Sequence, residues 1–486
     1  MDADELLGYA KKLGFFWPTA EIYGGISGIF DYGHLGAQLK RNFENLWLNF
    51  FVYSNPNYYL IEGSTILPEK PLIASGHASR FNDILVGCKK CNTYYRADIL
   101  LNDLGIKVSE GADVGELSKA IHENNVRCPK CGGELAEPKA FNMMVDVHLG
   151  PDKGEKGYLR PETAQLAYLD FFREFSILRK RLPIGLAIIG RAYRNEISPR
   201  QGLYRMRELT QAELQIFFMP EWEINDAMLE REMNVVLYMK EQQSITGTRL
   251  IKEFNMPSFY VYHMCLIDKF YKEVIGIPAE KLRFYEKGGN DKAFYNKIHM
   301  DIEVNVESWG GFREVGGLHY RGEYDLTSHT NGSGQDLSVD IDGKKAMPNV
   351  LEVSFGVDRN VWMLIDAFYA PGERAVLKLK ASLSPYKVAV FPLQKDSKLV
   401  EAAQLVYSKL KGKFRAFYDE SGSIGKRYAR MDEIGTPYCI TIDFDTIGND
   451  PDKRNTVTIR NRDTREQERV PIEGIERIIE SNLERI

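Results

Sequence analysis

LAIIGRAYRNEISPRQGLYRMRELTQAELQIFF, residues 186–218, divides into two arms and a turn. The first arm is Leu186–Glu196, the turn is Ser198-Pro199-Arg200-Gln201-Gly202, and the second arm ends at Phe217-Phe218. Pro presets φ and Gly tolerates the left-handed region, so the pattern predicts a β-hairpin. Side chains alternate across a strand, which puts Arg194 and Glu196 on one face. Arg207, Leu209, Gln211 and Glu213 share a face of the second arm in the same way. A third strand, Val350–Phe355, brings Glu352 and Ser354 together. A face carrying Arg, Glu, Arg, Glu, Glu and Ser makes a poor core, because burying an unpaired charge is very unfavourable. Such a face either lines a cleft or lies in water as a solvated surface of ion pairs.

Outward from the hairpin, Leu35, Leu39, Phe43, Leu46, Trp47 and Phe50 recur at helical spacing and predict a helix from about Leu35 to Phe51. An extended stretch, Tyr58–Ile61, follows and reaches Pro68. Val350–Phe355 runs into a helix whose apolar face is Val357, Val361, Leu364, Ile365 and Phe368. Residues 87–139 begin and end with cysteine pairs and read as an insert with a polar, helix-prone middle at 111–124. Residues 221–300 read mainly as helices with polar loops, a second insert. After Pro385, strands and helices alternate, predicting a small α/β domain with a largely parallel or mixed sheet. The expected division is one main domain in three parts (1–86, 140–220, 301–380), the two inserts, and a terminal domain at 385–486.

The chain has 486 residues, 44% hydrophobic and 27% charged, which excludes a disordered or collagen-like protein. No apolar run approaches the ~20 residues of a membrane span. Met1-Asp2-Ala3-Asp4-Glu5 is acidic where a presequence would be basic, so a cytoplasmic location is expected. A net charge of −5 excludes a bulk polycation, and any nucleic-acid contact would use local basic patches. Six cysteines are too few for a disulfide scaffold. Four of them form Cys88-x-x-Cys91 and Cys128-x-x-Cys131, a zinc-knuckle pattern for a structural tetrahedral Zn2+. The alternative is a set of reduced, metal-free thiols. Cys265 and Cys439 stand alone and read as packing residues.

Arg194-Asn195-Glu196 with its basic loop, and Ser354-Phe355-Gly356-Val357-Asp358-Arg359 turning into a helix, resemble motifs 2 and 3 of class II aminoacyl-tRNA synthetases. The Leu35–Trp47 helix is similar to motif 1, the dimer-forming element. Residues 160–165 (RPETAQ), 194–200 (RNEISPR), 317–326 (GLHYRGEYDL) and 348–356 (PNVLEVSFG), in this order, resemble glycyl-tRNA synthetases of the homodimeric type. The likeness runs from about Leu13 to the C-terminus. It implies an α+β fold: an antiparallel class II sheet with flanking helices, a zinc-binding insert, and a C-terminal α/β anticodon-binding domain. Residues 422–428 and 432–437 carry the likeness of that last domain. Its RNA contacts are expected near Lys426, Arg427 and Arg430, a cluster that charge alone also reads as an exposed helix face.

The resemblance further implies ATP-dependent attachment of glycine to tRNA(Gly) through a glycyl adenylate, in a cytoplasmic homodimer with no membrane association. Arg194 would lie between the glycine carboxylate and the α-phosphate, since a guanidinium fork can bridge two oxyanions. Arg359 would take the γ-phosphate and stack on adenine, Glu196 would accept from the adenine amino group, and Arg205 or Arg207 would serve the phosphate tail. Asn195, Tyr204, Met206, Glu208, Leu209, Glu314, Val315, Gly356, Val357 and Asp358 complete the implied ATP site. Mg2+ is expected on the phosphates, with Glu314 or Glu352 as its candidate ligand. Glu162, Glu213 and Glu352 map onto the ammonium-binding carboxylates, with Ser354, Arg321 and Arg96 completing the site and Leu209, Thr210, Gln211, Ala212, Val353, Phe355 and Gly356 lining it. By its own context, Glu162 equally reads as a first-turn helix acid. No amino acid is smaller than glycine, so no editing domain is required. Leu209, Val353 and His319-Tyr320 depart from the family pattern, which more often has Phe, Pro, and Ala followed by a polar residue there. Two rivals are a class II synthetase for another small amino acid and a non-catalytic accessory subunit of a DNA polymerase. Glu162 and Glu352-x-Ser354 argue against the first, and the joint presence of Arg194, Glu196 and Arg359 against the second.

Overall fold

The computed structural model describes residues 1–486 except 110, 152–153, 180, 220, 225–233, 239–241, 289–295, 342 and 485–486. Its centre is a nine-stranded sheet built from β1 (Tyr58–Leu60), β2 (Ile184–Tyr193), β3 (Glu208–Phe218), β4 (Asn234–Tyr238), β5 (Gln242–Thr246), β6 (Leu282–Glu286), β7 (Ile298–Val306), β8 (Gly311–Gly322) and β9 (Asn349–Gly356). The spatial order is β5-β4-β6-β7-β8-β9-β3-β2-β1. Neighbours are antiparallel except for β1 with β2 and β4 with β6. The hairpin thus lies in the sheet interior, and β9 sits between β3 and β8.

Both faces of the sheet are covered. Helices α1 (His34–Trp47) and α3 (Val357–Phe368) pack Leu39, Phe43, Trp47, Val361 and Leu364 against Leu214, Ile216, Val353 and Phe355. On the other face, α2 (Ala164–Ile177) packs Tyr168 and Phe171 against Leu186, Ile188, Phe217 and Val350. Period-2 alternation sends the polar residues of β3 and β9 to the α2 side. That side is roofed, so the solvated-face reading fails: Glu213, Gln215 and Glu352 are buried at 3%, 0% and 4% exposure.

Three local expectations are adjusted. The first arm of the hairpin ends at Tyr193, not Glu196. Arg194 keeps one ladder bond to Arg207 O (2.9 Å), but the Asn195 amide turns to Met143 O (2.7 Å) and that of Glu196 folds back on Arg194 O (2.7 Å), which ends the pairing. Among the described residues of 221–300, strands accompany the expected helices. Helices Gly247–Phe254 and Ser258–Lys269 are present, yet β4, β5 and β6 extend the central sheet, because short β-branched and aromatic runs pair readily at an open edge. The C-terminal sheet has one more strand than the sequence indicates, the polar edge strand Gln467–Pro471.

Around the cysteines, strands Asn82–Gly87, Tyr94–Arg96 and Lys139–Asn142 form a three-stranded sheet under helices Ala97–Asp103 and Val114–Glu123. Asp113 and Glu116 close a reciprocal capping box at the second helix, and Leu100, Leu101, Leu117, Ile121 and Leu135 fill a small core. From Val388 onward, a mixed sheet has the order Ala416–Tyr418, Val388–Pro392, Tyr438–Ile442, Thr456–Asn461, Gln467–Pro471. The first three strands are parallel and the last two antiparallel to their neighbours. Cys265 and Cys439 are buried in the core, Cys439 beside the charges of Asp432, Arg460 and Arg462.

Candidate active site

Three carboxylates project from different elements into one buried chamber under α2. Glu162, just before α2, receives Gln165 Nε2 at 2.8 Å and faces His77 Nε2 at 3.4 Å. Glu352, on β9, accepts from His319 Nδ1 (2.5 Å), Gln215 Nε2 (2.9 Å), Arg321 (3.1 Å) and Tyr168 Oη (3.4 Å). Glu213, on β3, accepts only from neutral groups: Thr163 Oγ1 (2.6 Å), Gln211 Nε2 (2.8 Å) and Ser354 Oγ (2.9 Å). Arg321 itself is clamped by both oxygens of Asp325 at 2.7 and 2.8 Å.

The three acids therefore differ electrostatically. Burial alone would raise all of them. His77 and Arg321 hold Glu162 well below the usual carboxylate range, and Arg321 and His319 hold Glu352 at about 2. Among the described residues no cation is ion-paired to Glu213, and Arg160 acts on it only from a longer range; burial and the charges of Glu352 and Glu162 push it up to about 7 against its neutral donors. Glu213 is thus the least compensated of the three carboxylates.

Above the chamber opens a cleft lined by Arg194, Glu196, Tyr204, Arg205, Met206, Leu209, Thr210, Gln211, Glu314, Ser354, Gly356 and Arg359. A second lobe shares Arg194, Glu196, Tyr204, Arg205, Glu314 and Arg359 and adds Arg96, Lys287 and Arg313. Arg194 lies over the Phe81 ring (5.4 Å) with Nε on Pro161 O (3.2 Å), and forms no ion pair among the described residues. Arg359 pairs with Glu314 (2.8 Å) and stacks on Tyr204 (4.7 Å). Leu209, Met206 and Leu203 supply an apolar wall where the family's aromatic is absent.

Several residues assigned to the site from the sequence lie elsewhere. Val315, Ala212, Val353, Phe355 and Val357 are fully buried in the core, as alternation and the α3 packing require. Arg207 donates to Glu196 O (3.2 and 3.0 Å) and Ser27 O (3.1 Å), so of the two tail candidates only Arg205 borders the cleft. Glu208 turns to Arg191 (3.5 Å), and Asn195 is an exposed turn residue. Arg96 is paired with Asp98 (2.8 Å) and Asp83 (3.4 Å) at the outer lobe rather than in the chamber. Asp358 borders the cleft, but its carboxylate is engaged by Tyr32 Oη and Thr210 N–H (each 2.5 Å) and Lys40 (3.4 Å). In the C-terminal domain Arg427 is buried, its guanidinium donating to Pro392 O, Leu393 O, Asp419 O and Gly422 O, so it is not an RNA-facing residue. Arg430 pairs with Asp419, and Lys426 is exposed.

The sequence reading missed Thr163, Gln165, Tyr168, Gln215, His77 and Asp325. Gln215 continues the alternation of Gln211 and Glu213 by one step, and Thr163 and Gln165 belong to the same hexapeptide as Glu162. His77 carries no local signal.

The four paired cysteines converge, with all Sγ atoms within 4.8 Å of one another and contacts of 3.5 Å (Cys88–Cys131) and 3.7 Å (Cys91–Cys128). Zn–S bonds of about 2.3 Å put tetrahedral sulfurs roughly 3.8 Å apart, so the thiols fit such an ion. Each pair is followed by a left-handed residue, Asn92 (φ 54°) and Gly132 (φ 69°), that closes the knuckle.

Residues 146–368 match the class II core domain of tRNA synthetases (G, H, P, S and T), and 387–482 match an anticodon-binding domain. The glycine–tRNA ligase of Pyrococcus furiosus is 38% identical over 96% of this chain and 96% of its own length. That of Methanococcus vannielii is 34% identical over 99% of each. The fold is similar to the crystal structure of prolyl-tRNA synthetase from Cryptosporidium parvum, with a TM-score of 0.59 at 14% identity, covering 100% of this chain and 76% of that one. Near-complete alignment at such identity, over a core that carries the three-carboxylate chamber and its arginine-lined cleft, means that the chain belongs to the glycine–tRNA ligase family of class II aminoacyl-tRNA synthetases.

Proposed function

We propose that this chain joins glycine to tRNA(Gly) through a glycyl adenylate, as a cytoplasmic homodimer. The observation that carries this reading is the buried carboxylate cluster in which Glu213 has no ion-pair partner among the described residues, and which touches the cleft lined by Arg194 and Arg359 through Gln211 and Ser354. Glycine's ammonium supplies that partner. A larger amino acid would have to displace Thr163, Gln211 or Ser354 from Glu213 or His319 from Glu352, leaving buried polar groups unpaired.

The carboxylate of glycine is ionised at neutral pH, so its attack on the α-phosphorus of ATP needs no general base. The chain has to hold two anions together and meet the charge that grows on the phosphate. Arg194, already oriented by Phe81 and Pro161 O and without an ion pair among the described residues, bridges the glycine carboxylate and the α-phosphate. Arg359 meets the γ-phosphate, Arg205 the rest of the tail, and Glu196 accepts from the adenine amino group. Glu352 is taken by four donors, whereas Glu314 borders the cleft and has only Arg359 as an ion-pair partner among the described residues, so Glu314 would hold a phosphate-bound Mg2+ once Arg359 turns to the γ-phosphate; the ion neutralises phosphate charge when bound. Cys88, Cys91, Cys128 and Cys131 would hold a structural Zn2+; four thiolates leave no open position for chemistry.

The homodimer rests on the likeness of the Leu35–Trp47 helix to motif 1, the dimer-forming element. No helix among the described residues is long and apolar enough to cross a membrane. Amino-acid-dependent ATP–pyrophosphate exchange with glycine, alanine, serine and proline tests the assignment. Exchange with glycine alone is expected. Exchange with another amino acid would overturn the chamber argument, and none from folded protein would favour a non-catalytic nucleic-acid-binding role.

A further inference from the structure

Between the catalytic core and the C-terminal domain, residues 379–384 form a turn with Leu379, Ala381, Leu383 and Ser384 buried. Its backbone carbonyls are bound one after another by side chains from both sides. Asn42, on α1, donates through Nδ2 to Leu383 O (2.9 Å) and Ser384 O (3.0 Å), with its own Oδ1 held by Gln38 (2.9 Å). From the far side, Lys387 Nζ donates to Ala381 O (2.6 Å), Ser382 O (2.7 Å) and Ser384 O (3.0 Å). That uses all three N–H groups of an ammonium. Arg462 joins Leu379 O (2.7 Å) to Gly435 O (2.8 Å) of the C-terminal domain.

Relative motion is the default for domains joined by a short linker, and this linker is instead fastened at nearly every carbonyl. The fastening also reaches the active site. Two residues before Asn42, Lys40 contacts Thr210 Oγ1 (2.6 Å) and Asp358 (3.4 Å) at the cleft, so one helix touches both the nucleotide cleft and the linker.

We propose that Asn42 and Lys387 are positioning residues for transfer to tRNA: by fixing turn 379–384 they set the orientation in which the C-terminal domain presents the RNA to the adenylate site. This rests on the tRNA-charging reading of the site. Adenylate formation needs only the core, whereas transfer needs the acceptor end and a distant part of the RNA to be held at once, and a small misplacement is felt steeply in rate.

The test uses the full chain with Asn42→Ala and Lys387→Met. Glycine-dependent pyrophosphate exchange should stay within about twofold of wild type, while kcat/KM for tRNA glycylation falls about tenfold or more. The double variant should lose less than the product of the single effects, because both act on one turn. Unchanged tRNA kinetics in both variants would overturn the proposal. So would a parallel fall in exchange and glycylation, which marks a merely structural role. If Lys387→Met does not fold, Asn42→Ala, at a half-buried site, decides the matter alone by the same pair of rates. Absence of exchange in the wild type would instead remove the functional reading itself, and the proposal with it.

Discussion

Replacing Glu213 by Gln tests whether the chamber recognises glycine through charge. The substitution keeps the side chain's shape and an oxygen for Thr163 or Ser354, but it removes the carboxylate that has no ion-paired cation among the described residues. Loss of one partner of a buried charge pair costs about 2–5 kcal/mol, or roughly 30- to 4,000-fold in kcat/KM for glycine. The pH profile separates charge from shape. Burial and the charges of Glu352 and Glu162 push Glu213 up to about 7, and only the ionised form receives the ammonium. At pH 6 about one molecule in eleven is then ionised and at pH 8 about ten in eleven, so the wild-type KM for glycine should fall about tenfold between them and level off above. Glu213→Gln should show a high KM that no longer changes across this range.

Stability moves the other way. Because the folded pKa lies above the ordinary 4.5, the stabilising effect of the proton is complete below 4.5 and is lost as pH rises through about 7. The Gln variant should escape that loss, on the order of 3 kcal/mol at pH 8. The assays are glycine-dependent pyrophosphate exchange at saturating ATP and thermal unfolding, both at pH 6 and 8. A variant KM within about threefold of wild type, or a retained tenfold change with pH, would refute the assignment.

Other expectations are simpler to check. Arg194→Ala should reduce adenylate formation by ~10²-fold or more with the fold intact, and near-normal exchange would remove its bridging role. Metal analysis of protein purified without chelator should find about one zinc per chain, and Cys128→Ser should loosen the 87–139 region as measured by hydrogen exchange or proteolysis; no bound zinc would end the assignment. Arg427→Ala should lower stability by about 1–3 kcal/mol, since four carbonyls lose their donor, without a selective effect on the KM for tRNA. A selective rise in that KM with unchanged melting would restore Arg427 to the RNA-facing surface.

The sequence by itself determined what depends on local pattern. Apolar residues at helical spacing marked α1, alternation assigned Glu213 and Glu352 to one face, and the C-x-x-C pairs identified the four thiols that converge. In each case the period of the chain or the chemistry of adjacent residues carries the signal. Only the tertiary structure decided which charges are already spent. Alternation names a face but not a partner, so it could not tell that Glu352 is compensated by Arg321 and His319 while Glu213 meets only neutral donors. Nor could charge pattern separate Arg205, at the cleft, from Arg207 and Arg427, whose guanidiniums satisfy backbone carbonyls. A guanidinium presents the same donors to a phosphate as to a carbonyl, and which it meets depends on chain segments far away in sequence brought there by packing. The strands within 221–300 escaped the sequence reading for the same reason: short runs pair where the edge of the central sheet is available to them.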